Sequence, residues 1–183
     1  MSGILVAGIG NVFLGDDGFG VEVVQRLGAR QAAHALPPFP EGVVVADFGI
    51  RGIDLCYALL DGVDAAILVD ATQRGGAPGS LYVIELPMDA QDGDGAGDPY
   101  ASPVLMSPHE MNPALVLRAL RMMGGTCADV VVIGCEPADF GLGEGEEGRL
   151  GLSEPVAAAV DRAVAMVEAM VGRKAEQLYG RPA

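Results

Sequence analysis

Two adjacent carboxylates, Asp16 and Asp17, end a glycine-rich turn that follows an apolar segment, Ile4 to Ile9. A third acid, Asp70, closes another apolar run, Ala65 to Val69. His109, one of only two histidines, stands in Ser107-Pro108-His109-Glu110. Carboxylates and an imidazole on loops can exchange protons with water or substrate, or share a cation that keeps open positions. Two oxygens and one nitrogen suit zinc, nickel or iron rather than magnesium or calcium alone. Spacing alone makes the trio a weak signal, because any α/β protein carries acids at strand ends. Simpler readings exist as well. Asp16 can cap the helix that follows it, and His109 can be a surface histidine beside a cap. In favour of a ligand, His109 sits at a positive helix end, which disfavours imidazolium and leaves a neutral ring able to bind metal.

The same turn argues against a nucleotide. Gly8 and Gly10 begin a G-x-G, but Asn11, Val12, Phe13 and Leu14 follow, with no third glycine in register and no Lys-Ser/Thr pair. Two carboxylates beside a phosphate would repel it by a kcal/mol or more, about the size of one close charge pair in water.

The elements that must position these residues follow from periodicity. Strands are expected at 3–9, 43–48, 65–69, 81–86 and 129–134, and helices at about 18–34, 53–61, 113–123 and 153–172. Pro37-Pro38-Phe39-Pro40 stops the first helix. The fourth strand follows the third too closely for a crossover helix, so it runs antiparallel to its neighbour. The fold class is therefore α/β, with a twisted, mostly parallel, mixed five-stranded sheet between helices. Strands one and three of such a sheet are commonly neighbours at a switch point, which brings Asp17 and Asp70 together and lets the segment near His109 close a third side. Residues 88–101 form a polar loop in which Asp92, Asp94 and Asp98 only faintly resemble a calcium loop, since Pro103 stands where a glutamate is needed. Residues 1–183 read as one domain, with a frayed tail from Arg173.

Composition bounds the function. The chain has 183 residues, half of them hydrophobic, and a formal charge of −14 from 25 acids against 11 bases. No basic stripe is present, so neither nucleic acid nor a membrane is expected as a partner. The apolar segment 155–171 is interrupted by Asp161, Arg162 and Glu168, which excludes a membrane span. Cys56, Cys127 and Cys135 form no C-x-x-C pair and read as reduced structural thiols of a cytoplasmic protein.

Several motifs in order resemble the hydrogenase maturation proteases: Gly8-Ile9-Gly10-Asn11, Asp16-Asp17-Gly18-Phe19-Gly20, Val69-Asp70-Ala71, Ser107-Pro108-His109, Gly134-Cys135-Glu136-Pro137 and Gly151-Leu152-Ser153. The resemblance spans about residues 4–172. It implies an endopeptidase that removes a short C-terminal extension from the large-subunit precursor of a nickel–iron hydrogenase after metal loading. It also implies that Asp17, Asp70 and His109 bind metal; Asp17 and Asp70 are the expected catalytic residues, where either an acid acts as general base on water or a bound metal polarises the scissile carbonyl. The nickel would arrive with the substrate, and no organic cofactor is implied. Many members have glutamate where Asp17 stands, and Gly-Gly-Thr where this chain has Gly49-Ile50-Arg51-Gly52. Gly49, Arg51 and Gly52 are accordingly the expected substrate-binding residues, with glycines that let backbone approach an extended peptide. The rival reading is a non-catalytic metal-sensing or metal-delivery module using the same three ligands. A nucleotide-binding domain ranks last.

Overall fold

The computed structural model describes residues 3–35, 37–86, 113–127, 129–140 and 148–180. His109 and the polar loop at 88–101 lie outside the described residues. Five strands form one sheet: β1 (Ile4–Ile9), β2 (Val43–Gly49), β3 (Ala65–Ala71), β4 (Leu81–Leu86) and β5 (Asp129–Cys135). Their order is β2-β1-β3-β5-β4. All neighbours are parallel except β4, which pairs antiparallel with β5, Tyr82 opposite Gly134. The mixed, mostly parallel sheet agrees with the expectation. The partner of β4 is β5, which follows it in sequence, and not β3, which precedes it.

Helices cover both faces. The helices α1 (Phe19–Ala32), α4 (Glu154–Ala157) and α5 (Val160–Tyr179) lie on one side, with α2 (Gly52–Leu60) and α3 (Pro113–Met122) on the other. Alternation along the strands supplies each core. In β3, Ala65, Ile67 and Val69 meet α1 and α5, whereas Ala66 and Leu68 meet α2 and α3. Asp70 continues the second series, so its side chain belongs to the α2/α3 face at the carboxyl edge of the sheet.

The first helix packs unusually close to the sheet. A Cβ on Gly20 would lie 2.0 Å from the Val69 carbonyl oxygen and 2.3 Å from that of Ile9. Both obstacles are backbone, so neither can swing aside. Gly20→Ala is expected to cost about 4 kcal/mol or more, the range of severe core overpacking. Chemical denaturation checks this, and a loss below about 1 kcal/mol would show that α1 can be displaced cheaply.

The carboxyl-terminal helix corrects the expectation of a frayed tail from Arg173. Helix α5 continues to Tyr179. Lys174 is buried and its ammonium lies 2.5 Å from Asp129 at the start of β5, while Ala175 packs into the core. The aliphatic stem of Lys174 is buried in the packing and its charge meets Asp129, which keeps the last turns on the sheet.

Candidate active site

Strand β1 runs into a loop and a 3-10 turn, Gly15–Gly18, before α1 begins. Gly10 has φ +129°, and a Cβ there would fall 1.7 Å from the Asp17 carbonyl oxygen. The turn can therefore fold back over the end of β1 only with glycine at this position. The Asn11 backbone N–H donates to the Asp17 carboxylate at 2.8 Å. Asp17 is half-buried at this edge.

Asp70 is buried. Burial pushes its carboxyl well above the usual range, the negative charge of Asp17 pushes it further, and the Ala71 backbone N–H opposes both. The two acids are thus electrostatic neighbours, as expected from β1 and β3 being adjacent. Like charges at one site make one acid hold its proton longer, and here it is Asp70. Two neighbouring carboxyls whose surroundings separate their proton affinities can accept and return a proton. A cation between them would reverse the shift and leave both ionised. Among the described residues no three His, Cys, Asp or Glu side chains cluster closely enough to hold a metal ion. The expected third ligand, His109, lies outside them. The next described element after it, α3, begins at Pro113 on the face to which Asp70 belongs.

Asp16 is not a cap for its own helix. Helix α1 has Gly18 at its N-cap and no side-chain cap hydrogen bond. Instead the buried Asp16 carboxylate accepts from the backbone N–H groups of Ala138, Asp139 and Ser153 and from the Ser153 hydroxyl. Burial raises its pKa, but these four bonds together outweigh burial and leave it below the ordinary 3.8. A depressed folded-state pKa means that the stabilisation is full above the unfolded value and fades as pH falls through the folded one. In urea titrations, wild type should exceed Asp16→Asn in stability at neutral pH. The gap should narrow below about pH 3.8. A gap that widens on acidification would contradict the assignment.

Glu136 is a third buried acid, one that patterning alone did not single out. It accepts from Arg74 N–H, Gly75 N–H and the Tyr82 hydroxyl at 2.9, 3.0 and 2.7 Å. Burial raises its pKa and these donors more than compensate, so it stays ionised and braces the loop leaving Asp70. Between that loop and the segment after β5 lies a cavity of about 350 Å³ lined by Gln73, Pro137, Ala138, Asp139 and Phe140. A larger one, about 480 Å³, runs beside α1 along Glu22, Arg26, Leu150 and Gly151. Neither cavity is lined by Asp17 or Asp70: Ala138 and Asp139, two of the donors to Asp16, line the smaller, and Gly15 and Gly18 of the same turn line the larger.

The loop after β2 shares this edge. Gly49 takes φ +53° and its carbonyl accepts from Gly10 N–H at 3.0 Å. The Arg51 guanidinium turns back to the carbonyls of Phe48 and Asp47 and lies 3.5 Å from Asp54. Gly52 opens α2. Ile50 and Ile53 remain exposed beside it, as do Val12 and Phe13 from the first loop. All three cysteines are buried without disulfides, and burial first of all raises the Cys135 thiol to about 12. A thiolate nucleophile is thereby excluded at Cys135.

Known proteins share this architecture and its sequence. The family described as HycI, hydrogenase maturation protease, matches residues 21–170. The hydrogenase expression/formation protein HupM of Azotobacter chroococcum is 30% identical over 171 residues, covering 93% of this chain and 72% of that protein. The hydrogenase maturating endopeptidase HybD of E. coli superposes with a TM-score of 0.71 at 26% identity, covering 94% of this chain and 93% of its own. A hydrogenase 2 maturation peptidase from a Thaumarchaeota archaeon gives 0.63 at 32% identity, with 93% and 98% covered. The protein is a hydrolase, an endopeptidase built on a three-layer α/β sheet. It belongs to the hydrogenase maturation protease family. Among the described residues no helix is long and apolar enough to cross a membrane.

Proposed function

We propose that this endopeptidase removes a C-terminal extension from the large-subunit precursor of a nickel–iron hydrogenase once nickel has been inserted, and that Asp17, Asp70 and His109 read that nickel. The observation that carries the proposal is the buried Asp70 carboxyl with the Asp17 charge beside it at the carboxyl edge of the sheet. Buried acids with strongly shifted pKa values at such an edge are candidates for proton-transfer chemistry. The donor set fits a borderline metal that arrives with other ligands of its own: two oxygens and a neutral imidazole leave positions open. In this reading Asp70 is the group that exchanges a proton with water or with the leaving amine, and the neighbouring Asp17 raises its proton affinity. In a strain lacking the gene, the large subunit should keep its extension. Re-expression of wild type, and not of Asp70→Asn, should restore the mature mass. An already mature large subunit in the deletion strain would end the proposal.

The loop Gly49-Ile50-Arg51-Gly52 is the proposed peptide platform. Gly49 and Gly52 give backbone access, and Arg51 holds the shape of the loop through the carbonyls of Asp47 and Phe48. Arg51→Ala should raise KM for the precursor about tenfold while kcat stays near wild type, the signature of lost uniform binding. A fall in kcat with KM unchanged would instead place Arg51 in the chemical step.

A further inference from the structure

We propose that Asp16 is the positioning residue for Asp17. Its buried carboxylate ties three loops of the sheet edge into one block and so fixes where the neighbouring carboxylate stands. The inference rests on the role given to Asp17 above.

The four bonds to Asp16 come from two separate segments. Ala138 N–H and Asp139 N–H, at 2.8 and 3.1 Å, belong to the chain leaving β5. Ser153 N–H and its hydroxyl, at 2.6 and 2.8 Å, precede α4. The backbone reinforces the tie, since Asp16 N–H donates to the Asp139 carbonyl and Gly15 N–H to that of Arg149. Asp17 is gripped from the other side by the Asn11 N–H and by the close approach of Gly10 to its carbonyl. The turn therefore has no slack in either direction, and a shift at Asp16 is passed to Asp17 through a single peptide unit. Neutral donors do the holding. A carboxylate offers about four acceptor sites, whereas an asparagine amide has one oxygen and presents N–H groups to donors. Asp16→Asn thus keeps the shape and breaks the fit.

The test follows activity and geometry together. In Asp16→Asn, kcat on nickel-loaded precursor should fall about tenfold to hundredfold, the scale on which an ångström of misplacement acts. KM should change little. The Asn11 amide resonance in a ¹H–¹⁵N spectrum should move as its bond to Asp17 is disturbed. Ser153→Ala removes one donor of four and should shift both readouts the same way by less. It also carries the test if Asp16→Asn does not fold. Unchanged kcat in a folded variant, or a reduced kcat with the Asn11 resonance in its wild-type place, would overturn the proposal. Should Asp17→Asn retain activity, the catalytic role of Asp17 fails, and the Asn11 resonance alone still decides whether Asp16 positions it.

Discussion

Asp70→Asn should abolish precursor processing, with kcat lowered at least about a thousandfold, while the folded state is kept. The expectation comes from its buried place at the end of β3 and from the neighbouring Asp17, which together raise its pKa. An amide of the same shape cannot give or take the proton, and general acid–base catalysis is worth about a hundredfold to ten-thousandfold. Folding should not suffer. A buried carboxyl disfavoured in its charged form costs stability at neutral pH, so a neutral isostere is neutral or stabilising. Asp17→Asn should lose activity comparably, because it removes the neighbouring carboxylate that acts on Asp70. His109→Ala should do the same if the imidazole completes the nickel contacts. Kinetics on purified precursor and thermal melts of each variant check this. An active Asp70→Asn enzyme would remove that residue from the reaction, and unfolding of all three variants would mean that structural acids had been mistaken for a site.

The second large effect concerns where the metal resides. The purified enzyme should carry well under one metal ion per chain, and chelator treatment of the enzyme should leave its rate on nickel-loaded precursor unchanged. Structural and catalytic zinc sites draw mainly on histidine and cysteine. Here two of the three proposed ligands are carboxylates, and burial together with the Asp17 charge disfavours ionisation of Asp70. Such a site holds a free ion weakly and gains from one delivered with protein ligands already attached. Nickel exceeds iron in divalent affinity, so a weak site can still prefer it. Metal analysis by mass spectrometry tests this. Stoichiometric zinc whose removal stops cleavage would point to an ordinary metallopeptidase.

Much of the scaffold was legible because it is local. The nine residues between β3 and β4 are too few for a crossover helix, which made β4 antiparallel on chain length alone. Its choice of β5 as partner is a long-range matter that chain length does not reveal. The nearness of Asp17 and Asp70 was legible from the adjacency of β1 and β3. The task of Asp16 was not: its donors lie 122, 123 and 137 residues along the chain, and an acid beside a helix start reads as a cap. Glu136 was hidden for the same reason, with partners 54 to 62 residues away. The segment after Arg173 was expected to fray as chain ends do, because the partner that accepts the Lys174 charge, Asp129, is 45 residues distant. Adjacent acids therefore marked a candidate site, while the division of labour between them depended on contacts made only in the folded chain.

The most direct test of the central claim is the product mass after incubation with the large-subunit precursor in two forms, nickel-loaded and metal-free. Wild type should convert the loaded precursor to one shortened species that lacks the C-terminal extension, leave the metal-free precursor intact, and lose the first reaction on Asp70→Asn. Equal cleavage of both forms, or cleavage of the loaded form by Asp70→Asn, would contradict a nickel-reading endopeptidase centred on these acids.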